Sequence, residues 1–121
     1  MEVPSVAVKF AVDDHTRGRD PVVAATYAAL IRAAKKLGPV MEEGKKTSIH
    51  LVRKTAFAGV ATRKSSLLLT LKSARDINSP RVSKHEQVSA GRWHLEVRLS
   101  SPSDVDAEIA GWLKAAYELS G

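Results

Sequence analysis

Between Thr47 and Lys72 the sequence repeats one pattern: short runs in which apolar and polar residues alternate, joined by two or three polar residues. Alternation with a period of two is the mark of a strand with one buried face. Strands joined so tightly must run antiparallel, because a parallel crossover needs a dozen residues or more. Thr47 to Arg53 places Ile49 and Leu51 on one face and His50 and Val52 on the other. After Arg53-Lys54, the segment Ala56 to Thr62 is small and apolar, with Phe57 its one large residue and a Gly59 that predicts a bulge or a close approach. After Arg63-Lys64-Ser65, the segment Ser66 to Lys72 turns Leu67, Leu69 and Leu71 inward. Residues 74–81 are turn-like, Val82 to Val88 reads as an edge strand, and Ala90-Gly91 as a turn. Arg92 to Leu99 alternates most regularly, with Trp93, Leu95, Val97 and Leu99 inward and Arg92, His94, Glu96 and Arg98 outward.

Helical periodicity brackets these strands. Asp20 and Pro21 are suited to open a helix whose inner stripe is Val23, Tyr27, Leu30, Ala34 and Leu37, and Gly38-Pro39 ends it. A second helix is predicted from a Ser103 cap, with Asp106 as the capping-box acid and a stripe of Val105, Ile109, Trp112, Leu113 and Ala116 beside Tyr117. Val6, Val8, Phe10 and Val12 alternate and predict a further strand over residues 3–12. The expected architecture is α+β: a single antiparallel sheet of about four to six strands, with two main helices packed on one face. A length of 121 residues points to one domain.

Composition narrows the function classes. With 44% hydrophobic and 26% charged residues the chain is of ordinary globular make-up, not disordered or collagenous. Without cysteine it has no disulfide framework, thiolate metal site or thiol nucleophile. The longest uncharged stretch, Pro21 to Ile31, is too short to span a membrane, and the first residues lack the basic start of a secretory signal. A cytoplasmic protein with no membrane partner is expected. No phosphate-cradling glycine loop and no HExxH spacing occurs, so no cofactor, metal or catalytic residue is assigned.

The formal charge of +6 is unevenly spread. Residues 1–31 carry a net −1, residues 32–98 a net +10 and residues 99–121 a net −3. Because consecutive hairpins alternate ends, the sheet collects Lys45, Lys46, Arg63 and Lys64 at one end and Arg53, Lys54, Lys72 and Arg75 at the other, roughly 20–25 Å apart. The uncovered face between them carries Ser48, His50, Thr70, Lys72, His94, Glu96 and Arg98. This pattern predicts a small non-enzymatic module that contacts a nucleic-acid backbone through its basic sheet ends. With only six aromatic residues, most at inward positions, base stacking is not the expected mode. Two alternatives stand beside it: a ligand or enzyme site on the open face built from His50, His94, Glu96 and Arg98, and a protein-interaction module, monomeric or homodimeric.

Three segments together resemble a known family. Ile77 to Arg81 is similar to an IDSPR-like segment, Arg98 to Pro102 to the end of a strand, and Trp112 to Tyr117 to a helix end of WL-AY type. With Leu37 to Val40, Lys45 to Thr47 and Phe57 to Val60, they resemble the bacterial family known as domain of unknown function 5655, over about residues 13–120. The resemblance implies no activity and no catalytic residue. The strand order ending in a Trp-containing strand and a helix also resembles, in architecture, MmcQ/YjbR-like domains, which implies the same sheet-and-helix layout and an association with DNA.

Overall fold

A computed structural model describes residues 11–121 of the chain; the strand expected over residues 3–12 falls almost wholly outside the described residues, and Val12 itself opens a short 3-10 turn, Val12–His15. Helix α1 spans Pro21–Lys35. Then come six strands: β1 (Met41–Gly44), β2 (Ile49–Val52), β3 (Ala56–Thr62), β4 (Leu67–Ser73), β5 (Val82–Ser89) and β6 (Arg92–Leu99). Helix α2 spans Ala107–Glu118. The strands all pair antiparallel in one sheet of order β1-β2-β3-β4-β6-β5. After β4 the chain passes outward, lays down β5 as the edge, turns at Ala90-Gly91 with Gly91 at φ 73°, and returns as β6. The architecture is α+β with both helices over one face.

The alternation in sequence becomes rows across the sheet. Ile49, Val60, Leu69, Val97 and Val82 form one inward row, and Leu51, Ala58, Leu71 and Leu95 the next. All nine are buried, and α1 covers them with Val23, Leu30 and Ala34 while α2 brings Ile109, Leu113 and Ala116. Each large aliphatic side chain fully removed from water contributes about 1.5–3 kcal/mol, so this face holds the fold together. Sequence periodicity gave the right stripe on both helices, though Leu37, Val105 and Trp112 are only partly buried at its rim.

Three local features shape the sheet ends and fix the helices to them. First, the β2–β3 register shifts between Leu51 and Val52, so Leu51 opposes Ala58 while Val52 opposes Ala56. Phe57 is the extra residue of this bulge. It leaves the alternation, becomes buried, and meets Tyr117 of α2 edge-on at 5.2 Å between ring centroids. The irregularity expected at Gly59 therefore lies two residues earlier.

Second, Tyr117 joins α2 to the rest. Its hydroxyl donates to Pro39 O at 2.9 Å, and a Cβ at Gly38 (φ +145°) would stand 2.6 Å from the Tyr117 hydroxyl oxygen, so the chain after α1 passes here only as glycine. Tyr27 of α1 likewise donates to Glu42 of β1 at 2.7 Å; burial, then the Glu42 hydrogen bond, pushes its hydroxyl far above the usual phenol range.

Third, α2 starts later than its first cap candidate. Pro102–Asp104 form a 3-10 turn, Ser103 bonds to Ser101, and Asp106 is the cap, accepting from Ile109 N at 3.1 Å. Arg81 clamps this start, donating to Asp106 and Glu108 at 3.0 Å and to Asp104 O at 2.8 Å. The Ile109 amide and then the Arg81 guanidinium hold the Asp106 carboxyl below its usual range. Partial burial works against the Arg81 charge, but its two carboxylate partners outweigh it and raise its pKa. Asp20 occupies the cap position of α1, yet its carboxylate accepts from Ser65 at 2.6 Å instead of from a helix amide.

The edges differ in kind. β1 is four residues long, and β5 is exposed beyond Val82 and breaks register at both ends, between Val82 and Lys84 and between Gln87 and Ser89.

Candidate functional site

Among the described residues nothing covers the face away from the helices, and its middle is hollow. In register across it lie Glu43, His50, Gly59, Thr70, Glu96 and Lys84, with Ala61 and Leu68 in the neighbouring row. Strand β3 thus offers only Gly59 and Ala61 where its neighbours carry real side chains. The result is a trough of about 300 Å³ with Gly59 and Ala61 in its floor, Ser48 and His50 on one wall, and Thr70, Lys72 and His94 on the other. A Cβ at Gly59 would meet nothing nearer than His50 Cδ2 at 4.0 Å. No neighbour demands glycine there; its missing side chain deepens the trough.

The four residues of the open-face alternative share this face but not one site. His50 and His94 line opposite walls, with β3 and β4 between their strands, so roughly 14 Å of sheet separates them. One ion or one proton relay does not bridge that gap. Glu96 pairs with Thr70 in register, outside the trough lining, and Arg98 reaches the sheet end, donating to Ser66 at 2.8 Å. Among the described residues no group of three or more His, Asp or Glu side chains could hold a metal.

The basic residues gather at two ends, as the alternating hairpins require. At the lower end, marked by the β2–β3 turn, Arg53 lies over the Tyr117 ring at 4.3 Å and donates to Tyr117 O at 3.1 Å. Lys72 donates to Ser120 at 2.9 Å and Thr55 at 3.3 Å, and the Lys54 amide donates to Ser120 O at 3.2 Å. Arg75 is exposed beyond β4. These contacts seat the end of α2 and leave the cations in place.

At the upper end, marked by the β3–β4 turn, Lys45, Lys46, Arg63 and Lys64 are exposed. Lys45 meets Glu43 at 3.4 Å; among the described residues, none of the other seven expected contact cations has a carboxylate at ion-pair distance. The β3–β4 turn also meets the loop before α1, where the Asp20 amide donates to Lys64 O at 2.8 Å. Between them is a second cavity of about 360 Å³, lined by Asp14, His15, Arg19, Lys46, Thr47, Thr62 and Arg63.

Sequence reasoning did not single out Arg19 or His15, which line this cavity. The available signal was topological. A loop that ends at the α1 cap must sit at the sheet end where α1 begins, beside Arg63 and Lys64.

The segments of the family resemblance prove structural. Arg81 clamps the start of α2, Ile77 and Trp112 pack on the core rim, and Tyr117 ties the end of α2. The model of the family described as Domain of unknown function (DUF5655) matches residues 12–120. Neither the curated proteins nor the solved structures yield a match. No helix among the described residues is long and apolar enough to cross a membrane.

Proposed function

The chain belongs to the family Domain of unknown function (DUF5655), which carries no activity with it, and from its own geometry we propose a small non-enzymatic module that binds a nucleic-acid backbone along the uncovered sheet face. The observation that carries this reading is the set of cations at the two ends of the trough, seven of the eight without a carboxylate partner among the described residues. A polyanion neutralises such charges and releases its own counterions, which favours binding without base contacts. Lys46, Arg63 and Lys64 with Lys45 take phosphates at the upper end, and Lys54, Lys72 and Arg75 with Arg53 at the lower.

The trough runs from β2 across β3 to β4 and to His94 of β6, two to three strand spacings, or about 10–14 Å. That width suits one strand and not a duplex. Trp93 and Trp112 pack against the core, and Tyr27, Phe57 and Tyr117 belong to it, so no aromatic among the described residues is available for stacking and sequence preference should be weak.

The test is fluorescence anisotropy of the chain with a labelled mixed-sequence single-stranded oligonucleotide at 50 and 200 mM salt. Contact with four phosphates gives a slope near −0.7 per phosphate, so affinity falls about 50-fold over that range. No binding at 50 mM, or binding indifferent to salt, overturns the proposal. Tighter binding to duplex than to single strand overturns the trough as its seat.

A further inference from the structure

The cavity at the upper end is a different kind of site from the trough. Three cations reach it from three separate elements: Arg19 from the loop before α1, Lys46 from the β1–β2 turn and Arg63 from the β3–β4 turn. Buried Thr62 organises two of them. Its hydroxyl donates to His15 O at 2.5 Å and accepts from Arg19 Nε at 3.4 Å, while its carbonyl accepts from Arg63 at 3.1 Å. The one acid in the lining, Asp14, is paired with Arg17 at 2.7 Å. Three cations around one small concavity exceed what a phosphodiester, with its single charge, requires.

We propose that this cavity binds a phosphomonoester, the terminal phosphate of the strand that lies in the trough. A monoester carries about −1.5 to −2 charges at neutral pH and offers three acceptor oxygens, which match two guanidinium forks and an ammonium. The volume is at the lower bound for small-ligand sites, enough for a phosphate and the sugar that bears it. The position fits as well: Lys46 and Thr47 lie just beyond Ser48, a wall of the trough, so a strand that runs up the trough and turns over the sheet end delivers its end here. The attached strand rests on the nucleic-acid reading; the phosphomonoester pocket does not.

The experiment compares oligonucleotides of one sequence bearing a 5′-phosphate, a 3′-phosphate or hydroxyls at both ends, by anisotropy, and separately titrates adenosine monophosphate while amide NMR shifts are monitored. One phosphorylated end is expected to bind at least tenfold more tightly than the hydroxyl-ended strand. Arg19→Gln and Lys46→Gln, both exposed positions, should each bring that ratio to within twofold. Adenosine monophosphate should move the Lys46, Thr62 and Arg63 amides and adenosine should not. Equal affinity for all three oligonucleotides, with no nucleotide-induced shifts at those amides, overturns the proposal. Shifts at those amides without any strand binding uphold the pocket and remove the nucleic-acid reading.

Discussion

Replacing Arg53 by methionine separates two roles that the same side chain could have. Methionine keeps the aliphatic stem and removes the guanidinium. The structure assigns that group a cation–π contact with Tyr117 at 4.3 Å and a hydrogen bond to Tyr117 O at 3.1 Å, beside the last turn of α2. A cation–π contact at an exposed site contributes about 0.5–1 kcal/mol, and a hydrogen bond of this kind about 1 kcal/mol. Arg53 is exposed, so the lower half of these ranges applies and Arg53→Met should cost ~1–1.5 kcal/mol. For a chain of this length that is a fall in Tm of roughly 4–7 °C. Urea unfolding of the wild type, Arg53→Met, Tyr117→Leu and the double variant measures the coupling directly. A coupling of about 0.5–1 kcal/mol is expected, since only the ring contact depends on both side chains. A cycle that closes to within about 0.2 kcal/mol, together with a loss of stability below about 0.5 kcal/mol, would refute the structural role. Arg53 would then be free surface charge, and its contribution to oligonucleotide binding would equal that of Lys54.

Two further outcomes test other parts of the structure. Asp106 has its folded pKa depressed by the Ile109 amide and by Arg81, so its share of stability is present above the unfolded carboxylate value of about 3.9 and is lost as pH falls through the lower folded value. Asp106→Asn should therefore flatten the loss of urea midpoint in that acid window, and an unchanged pH slope would contradict the cap-and-clamp description of α2. Gly59→Leu fills the trough without a backbone clash, because nothing lies nearer than 4.0 Å to the added Cβ. Oligonucleotide affinity should drop at least tenfold with the unfolding midpoint unchanged or raised, and full affinity in this variant would place the strand elsewhere.

The parts of the fold that were readable in advance are those where burial alone decides. Arg92 to Leu99 could face the core in only one way, since a one-residue slip would expose four large side chains and bury two arginines, a histidine and a glutamate. Strand β1 was not readable. Met-Glu-Glu-Gly has no strand propensity of its own and pairs because β2 offers it an edge and Tyr27 holds Glu42. The start of α2 was read with Ser103 as cap and Asp106 as its capping-box acid, whereas Asp106 is itself the cap. Arg81, twenty-five residues before Asp106 in the chain, holds it there, a contact that local sequence does not show.

For the candidate site, the sequence supplied the sidedness of each residue and the end at which each cation lies. What it lacked was depth. The hollow depends on one strand presenting Gly59 and Ala61 where the strands beside it present His50 and Thr70, which is a comparison across register rather than along the chain. The separation of His50 from His94 was hidden for the same reason, since strand order sets it. The Phe57 bulge did leave a trace: it is a large apolar residue out of step with Ala58 and Val60.

The two outer strands bear on how copies of this chain can meet. An unpaired strand edge recruits another when it is long and regular, and neither edge of the sheet among the described residues is. A newcomer at β5 would find its ladder broken twice in eight residues, and at β1 only four residues to grip. Growth of the sheet from one molecule into the next is therefore disfavoured at both borders. Self-association through side chains on a face would meet repulsion between like-charged ends. A long anion laid across several copies would cancel that repulsion and set their spacing by its own length.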